Sequence, residues 1–169
     1  ACTRSQLGSN ETAKSSEVGT LIPSLCLRGL PNGVEPAAGL GLDPSVLEAW
    51  FGGHVTSGYH DPSRPGHNGM DFSLVSGTPI RSTWEGTVVY AGWSDAGYGN
   101  LVEINHGNGY VTRYGHNDAI LVKVGDAVER GQTISKMGST GRSTGPHVHF
   151  EVLLNDRQID PIRFVQSKA

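Results

Sequence analysis

Short apolar runs separated by glycine-containing turns occupy the chain from Gly53 onward. The apolar residues in these runs do not repeat at the three- and four-residue spacing of a helix, and Val, Ile, Thr and Tyr are frequent in them, which is typical of β-strands. The runs are residues 87–91, 101–104, 110–114, 120–124, 133–134 and 147–154. Short strands at regular spacing predict a mainly β fold class, an antiparallel β-sheet or sandwich-like domain.

A different pattern precedes this region. Residues 1–42 are rich in Ser, Thr, Gly, Pro and Asn and have weak periodicity, which predicts an extended N-terminal arm or linker. A short N-terminal helix is expected next, because Asp43 suits the N-cap and Pro44 suits the first helical position. Phe51 would lie on the buried face of that helix. The predicted organisation is an arm over residues 1–42 and one domain over residues 43–169.

Composition and charge narrow the functional classes. A chain of 169 residues is long enough for one domain with a hydrophobic core, and its 24 glycines without a collagen repeat agree with many turns. The formal net charge is −3, and the sequence contains no basic run or basic–aromatic stripe. Nucleic-acid binding is therefore not expected. No apolar run has the length that a membrane-spanning helix requires.

The two cysteines, Cys2 and Cys26, both fall in the arm, away from the histidines and without C-x-x-C spacing. A metal or redox role is therefore not expected for them. We expect them to form a disulfide in an exported protein. The alternative is that Cys2 is a lipid-attachment cysteine.

The strand pattern over residues 147–152 is the first candidate for chemistry. His147, His149 and Glu151 alternate with apolar residues, so the three polar side chains share one face of the strand. Two imidazoles on that face lie within a few ångströms of each other. An isolated H-x-H pair would more often be a solvent-facing strand, but further histidines upstream favour a metal site here.

A second cluster lies upstream, where His67 and Asp71 have the spacing of two positions on one face of a strand. We expect that strand to continue over residues 71–75. Catalytic zinc is held by three protein ligands, with water in the fourth position. His67, Asp71 and one of the histidines at 147 and 149 complete such a set, and the spacing does not choose between the two. A zinc centre of this kind would lower the pKa of water to about 7.

With these motifs in order, the chain from about residue 53 to residue 165 resembles the lysostaphin and LytM type of zinc peptidase, the bacterial cell-wall endopeptidases. The resemblance covers about two thirds of the chain and lies in a series of motifs. They are His67-x3-Asp71-Phe72, Gly77-Thr78-Pro79-Ile80, Glu85-Gly86-Thr87-Val88, Tyr98-Gly99-Asn100, Asn105-His106-Gly107, Tyr114-Gly115-His116, Gly125-Asp126-x-Val128-x-x-Gly131-Gln132, Gly138-Ser139-Thr140-Gly141 and Ser143-Thr144-Gly145-Pro146-His147-x-His149-Phe150-Glu151. The loop over residues 59–65 departs most from the family pattern, which leaves the substrate subsites open.

The resemblance implies a role for each matching residue. His67, Asp71 and His149 match the metal ligands, for one Zn2+ per chain, and His116 and His147 match the two catalytic histidines. It also implies a largely antiparallel peptidase domain with an open groove. The implied reaction is hydrolysis of peptide bonds in peptidoglycan, either in cross-links or in glycine-rich bridges. The expected location is the bacterial cell envelope, periplasmic or extracellular, with a monomer as the simplest state and no transmembrane segment.

Two alternatives come from other functional classes. A catalytically silent LytM-type module would bind or activate another cell-wall hydrolase, but silent modules typically lack some of the metal ligands, and all three are present here. A lipoyl- or biotinyl-like carrier is suggested by residues 125–132 and by Lys136. A carrier function leaves the histidine clusters unexplained.

The sequence also suggests roles for three further residues. Tyr59 could polarise a substrate carbonyl or simply pack in its loop. Glu151 shares a strand face with the histidines and could hydrogen-bond to a ligand. His106 is expected to have a structural or surface role.

Overall fold

Ten β-strands make up most of the region that the computed structural model describes, which is Phe51 and residues 53–162. They are β1 (His54–Ser57), β2 (Met70–Ser73), β3 (Pro79–Arg81), β4 (Gly86–Ser94), β5 (Gly99–Gly107), β6 (Tyr110–Ile120), β7 (Ala127–Val128), β8 (Thr133–Met137), β9 (His147–Leu154) and β10 (Arg157–Ile159). The pairs between them are antiparallel. The mainly β, antiparallel fold class predicted from the sequence is therefore confirmed. Within the described region, no helix has the length and apolar character needed to cross a membrane.

The predicted N-terminal arm, residues 1–42, lies outside the described residues, and so do Cys2 and Cys26. The predicted helix also lies outside them, except for Phe51. The domain boundary at residue 43 and the disulfide therefore stay predictions.

Strand β9 lies in the middle of the sheet, whose order is β1-β2-β9-β6-β5-β4-β7. One edge of β9 pairs with β6, and the other edge pairs with β2 over its first half and with β10 over its last residues. β3 and β8 pair with each other, and β8 also pairs with the end of β6. The H-x-H strand is consequently enclosed by backbone on both sides.

Strand β6 changes partner near its middle. As far as Gly115 it pairs with β9, and from Asn117 onward it pairs with β8. His116, between these two residues, has a φ of +64°, in the left-handed region that non-glycine residues seldom adopt. His116 therefore lies inside a strand at a fork between two parts of the sheet, because β6 continues beyond the run of residues 110–114 that the sequence predicted.

Two predicted strands differ from the structure. Residues 120–124 are mainly loop, because β6 ends at Ile120 and the N–H of Leu121 donates to the carbonyl of Ile134 (2.9 Å). The strand predicted over residues 71–75 is also shorter than expected, because β2 ends at Ser73. The next residues, Leu74 and Val75, are exposed and lie outside the β-sheet. In both places, exposed apolar residues have the composition typical of a strand, and this led to the wrong prediction.

The apolar face of β9 packs on an aromatic core. The ring centroids of Phe51 and Phe72 are 4.9 Å apart, and Phe150 lies 5.1 Å from Phe51 and 5.4 Å from Tyr114. All four side chains are fully buried. The alternation predicted for residues 147–152 places apolar side chains in this core and the histidines on the opposite face.

A polar chain crosses the core beside these rings. The Tyr114 hydroxyl lies 3.0 Å from the hydroxyls of both Thr83 and Thr112. His106 lies next to Thr112, with 2.7 Å between Nε2 and the Thr112 hydroxyl, and its Nδ1 donates to the carbonyl of Glu85 (2.7 Å). His106 thus has the structural role expected of it. Burial lowers the pKa of His106. The hydrogen bond to the carbonyl of Glu85 raises this pKa, but by less than burial lowers it.

The first residue of β5 and the loop before β9 meet backbone to backbone at Gly99 and Gly141. Both glycines have positive φ angles, +63° and +71°, and a Cβ on Gly141 would overlap the backbone nitrogen of Gly99. The N–H of Arg142 donates to the carbonyl of Gly97 (2.8 Å) across the same contact. This close approach fixes the loop before β9 against the loop before β5.

We expect Gly141→Ala to destabilise the protein more than Gly125→Ala. Gly125 also has a positive φ, +92°, but open space surrounds its missing side chain. Left-handed strain of about 1–2 kcal/mol applies to both substitutions, and only Gly141→Ala adds a backbone overlap. Urea unfolding followed by tryptophan fluorescence measures the difference, and equal losses would contradict the close packing of the two loops.

A second expectation concerns the contribution of His106 to the loss of stability in acid. Because the fold lowers the pKa of this imidazole, the unfolded chain binds the proton more readily, and stability is lost as the pH falls below about 6.5, the unfolded value. His106→Gln should therefore lose less unfolding free energy than the unmodified protein between pH 7.5 and 5.5. Urea unfolding at the two pH values measures the change, and an equal loss in both proteins would contradict this effect of burying the His106 imidazole.

Candidate metal centre and groove

His67, Asp71 and His149 meet at one point. Asp71 on β2 is directly opposite His149 on β9, and opposite residues on paired strands present their side chains to the same face. His67 reaches the same point from the loop before β2. The distances among Nε2 of His67, Oδ1 of Asp71 and Nδ1 of His149 are 2.8–3.1 Å. All three residues are buried.

Each imidazole of this group is oriented by an acceptor at its other nitrogen. Nδ1 of His67 donates to the carbonyl of Gly58 (2.7 Å), and Nε2 of His149 donates to the carboxylate of Glu151 (3.0 Å). Because a neutral imidazole has one N–H, these bonds leave lone pairs on Nε2 of His67 and Nδ1 of His149. The two lone pairs converge on Oδ1 of Asp71.

The three ligand atoms fit a zinc ion. Two imidazoles and a carboxylate are a donor set that zinc accepts, and ligand atoms about 2.1 Å from a tetrahedral ion are about 3.4 Å from one another. The observed triangle needs to widen by only a few tenths of an ångström. Three converging acceptors repel one another unless positive charge lies between them, so the arrangement itself favours a cation.

The surroundings favour positive charge at His149 and negative charge at Asp71. Burial would lower the pKa of His149, but its hydrogen bonds to Asp71 and Glu151 raise it to about 9. Burial would raise the pKa of Asp71, but the hydrogen bond and charge of His149 hold it well below its ordinary value. A divalent ion would compete with the proton on His149 for the same position.

Glu151 connects the centre to a half-buried chain of polar side chains. Its carboxylate is 2% exposed and accepts hydrogen bonds from the hydroxyl of Tyr98 (2.7 Å) and from Nη1 of Arg113 (3.3 Å). Arg113 also donates from Nε to Glu103 (2.7 Å). Burial would raise the pKa of Glu151, but the bonds from His149 and Tyr98 lower it, so the group stays a carboxylate. Burial and the bond to Glu151 raise the pKa of Tyr98 to about 12.

The other two predicted histidines lie beside the centre. The ring centroids of His116 and His147 are 4.6 Å apart, and Nε2 of His147 is 3.8 Å from Oδ1 of Asp71. Nδ1 of each ring points at a backbone carbonyl 2.8 Å away, that of Thr140 for His116 and that of Gly145 for His147. Both rings therefore present Nε2 without a proton in their neutral forms. Nδ1 of His149 is 2.8 Å from Oδ1 of Asp71, whereas Nε2 of His147 is 3.8 Å from the same oxygen. The shorter distance agrees with the ligand assignment implied by the resemblance.

The backbone holds His116 in place from both sides. Its N–H donates to the carbonyl of Tyr98 (2.7 Å), and its left-handed φ turns the side chain toward His147. Burial lowers the pKa of His116 to about 4, in spite of the bond to Thr140, which raises it. His116 is therefore a neutral imidazole at neutral pH.

An open groove crosses the centre. It consists of two cavities, of about 370 and 730 Å3, and Arg64, His116 and Arg142 line both of them. Nη1 of Arg64 donates to Oδ2 of Asp71 (2.9 Å), the oxygen that faces away from the histidines. The groove implied by the resemblance is thus present, with two arginines along it.

The loop position of His67 corrects the expectation that it shares a strand with Asp71. The N–H of His67 donates to the carbonyl of Arg64 (2.8 Å) and its carbonyl accepts from His60 (2.7 Å), so the chain turns before β2 begins. At Gly69 a Cβ would lie 2.8 Å from Cε1 of His149. The turn places His67 at the centre, and the glycine makes room for the His149 ring.

Tyr59 has a packing role. Its hydroxyl donates to the carbonyl of Gln158 (3.3 Å), and its ring stacks on His60 at 4.1 Å.

The sequence analysis did not predict Arg142 as a groove residue, although a charged residue within a loop of small residues was a usable signal. It also missed the carbonyls that orient the histidines, for which the sequence carries no signal.

A family model described as "Peptidase family M23" matches residues 65–161, which include all five predicted site residues. Among curated proteins, the peptidoglycan DD-endopeptidase ShyB of Vibrio cholerae is 47% identical over 103 residues, covering 57% of this chain and 22% of ShyB. The murein hydrolase activator NlpD of Escherichia coli is 40% identical over 106 residues, covering 63% of this chain and 28% of NlpD. The match thus spans less than a third of either relative.

Solved structures give the same result. A zinc-containing peptidase from Vibrio cholerae is similar with a TM-score of 0.60 and 44% identity, over 64% of this chain and 36% of that one. The antimicrobial peptidase lysostaphin from Staphylococcus simulans is similar with a TM-score of 0.64 and 38% identity, over 68% of this chain and 50% of that one. The resemblance stated from the motifs is confirmed, and the chain belongs to peptidase family M23.

Proposed function

We propose that this protein is a zinc-dependent endopeptidase that hydrolyses peptide bonds in peptidoglycan. The observation that carries the proposal is the convergence of three buried ligand atoms 2.8–3.1 Å apart, with two further imidazoles beside them in an open groove. The family and the relatives named as endopeptidases support it. The proposal places the peptidase domain at residues 43–169, after an arm at residues 1–42.

His67, Asp71 and His149 would hold one zinc ion. When bound, the ion would supply Lewis acidity, which makes water a better nucleophile and a carbonyl a better electrophile at neutral pH. The chain prepares the ligands for this role, because the carbonyl of Gly58 and the carboxylate of Glu151 fix which nitrogen of each histidine is free.

His116 and His147 would move protons. Each presents an unprotonated Nε2 toward the groove, held by a carbonyl at Nδ1, and can take a proton from attacking water or return one to the leaving amine. Since their rings are 4.6 Å apart, a peptide bond beside the centre can be reached by both. With two imidazoles in these positions, the reaction needs no carboxylate as general base, such as the glutamate of an H-E-x-x-H motif.

The substrate and location follow from the same proposal. An open groove with cavities on both sides of the centre suits an extended peptide chain, as found in peptidoglycan cross-links or glycine-rich bridges. Peptidoglycan lies outside the cytoplasm, so the protein would act in the bacterial cell envelope, periplasmic or extracellular. Zinc would be its one cofactor in the described domain.

The second candidate is an activator of another cell-wall hydrolase. It is favoured by the similarity to NlpD proteins, one of which aligns with 89% of this chain at 33% identity. The complete set of ligands and flanking histidines favours the enzyme. Digestion of defined muropeptides by the purified zinc-loaded protein alone, with products identified by mass, separates the two candidates, because an activator yields no product without its partner.

The ligand assignment has a direct test. Asp71→Ala and His149→Ala should each strip most of the zinc from the purified protein, because two ligands hold the ion far less well than three. His54→Ala, an exposed position on β1, is the control and should keep about one zinc per chain. Plasma mass spectrometry measures the metal, and stoichiometric zinc in His149→Ala would refute the assignment.

Glu151 should tune the affinity for zinc. Glu151→Gln keeps the shape of the side chain but removes the charge that His149 faces, so zinc should bind about 10–100-fold more weakly. Glu103→Gln, at the far end of the same polar chain, is the matched control and should change the affinity little. Competition with a chromogenic chelator measures both, and equal affinities in the two variants would argue against this role.

The two flanking histidines should be needed for turnover and not for metal. His116→Ala and His147→Ala should keep zinc and the native circular dichroism spectrum but lose about 10²–10⁴-fold in kcat on a muropeptide substrate, the usual contribution of one general acid–base group. Near-normal turnover in either variant would remove that histidine from the mechanism.

A further inference from the structure

We propose that Arg142 forms a subsite for a carboxylate of the substrate, so that the protein prefers a peptide with a free carboxylate next to the scissile bond over an uncharged glycine-rich bridge. This inference rests on the proposed function and narrows its substrate class. It is carried by the position of Arg142, by its charge environment and by the chemistry of the guanidinium group.

Arg142 lies in the loop between β8 and β9, and it lines the cavities on both sides of His116. Its backbone N–H donates to the carbonyl of Gly97 (2.8 Å). A Cβ on Gly97 would lie 3.7 Å from Cβ of Arg142 and 4.0 Å from its Nε, so the arginine side chain lies across this glycine. The backbone contact fixes the base of the side chain at the middle of the groove.

The guanidinium of Arg142 has no acidic partner among the described residues. Arg64, the other arginine along the groove, pairs with Asp71 at 2.9 Å. Glu151, which lines one cavity, pairs with Arg113 at 3.3 Å. Within the described part of the groove, Arg142 is therefore the formal charge that no neighbour neutralises, and a zinc ion would add further positive charge beside it.

A carboxylate is the group that this environment recognises. The planar guanidinium presents parallel N–H donors that match the two oxygens of a carboxylate, and the bonds are charge-assisted. The whole chain has a formal net charge of −3, so the unpaired charge of Arg142 is a local feature and not part of a general excess of positive charge. A glycine bridge offers Arg142 only backbone carbonyls, whereas a stem or cross-link peptide with free carboxylates offers a charged partner.

The experiment compares two synthetic cross-linked peptides that differ in one group, a free carboxylate next to the scissile bond or the corresponding carboxamide. The zinc-loaded protein should show roughly tenfold higher kcat/KM for the acid than for the amide, the low end expected of a charge-assisted bond because the site is open to solvent. Arg142→Gln should reduce that ratio to near one, and Arg142→Lys should retain part of it.

Arg81→Gln is the matched control, since Arg81 is an exposed arginine on β3 that lines neither cavity and its loss changes the net charge equally. This variant should keep the full ratio. A ratio near one in the unmodified protein, or an unchanged ratio in Arg142→Gln, would overturn the subsite.

Calorimetric binding of the same two peptides separates this inference from the proposed function. A tenfold preference in Kd for the acid that disappears in Arg142→Gln supports the subsite even where neither peptide is cut, and the failure then belongs to the proposed hydrolysis. Cleavage of both peptides at equal rates supports hydrolysis and rejects the subsite. Absence of binding by either peptide rejects the subsite as well.

Discussion

The register between β2 and β9 is the constraint on which the candidate site depends. It sets Asp71 opposite His149 and Phe72 opposite Val148, so that one face of the pair carries the ligands and the other carries the core. Because side chains alternate along a strand, a shift of one residue would bring apolar side chains to the centre and bury the imidazole in the core. The aromatic contacts that Phe72 and Phe150 make with Phe51 stabilise this register and thereby the positions of the candidate ligands Asp71 and His149.

A second constraint acts on the rings themselves. Four histidines surround Asp71, and each has one nitrogen fixed by an acceptor, a backbone carbonyl in three cases and Glu151 in the fourth. A ring with both nitrogens free could rotate or change tautomer, and its lone pair would then have no fixed direction. The loops around the sheet thus decide the chemistry of the site, although they contribute few side chains to it.

The sequence predicted the parts of this arrangement that depend on short-range pattern. Alternation around His147 and His149 was enough to place the two imidazoles on one face, and the motifs were enough to name the family. Position 67 could not be placed in the same way, because a loop residue has no period and its location depends on a turn closed through Arg64 and His60. The carbonyls that orient the rings could not be predicted from the sequence either. Every residue has a carbonyl, and which one accepts from an imidazole depends on the folded backbone.

The left-handed backbone at His116 has an evolutionary consequence. A non-glycine residue in this conformation costs on the order of 1–3 kcal/mol, and glycine at the same position would avoid most of that strain. Selection for stability alone would therefore favour glycine there, and the proposed proton transfer would give a reason to keep the imidazole. In a lineage that keeps this fold without a use for that imidazole, position 116 is where we expect drift to begin, before Asp71 and His149 on the paired strands change.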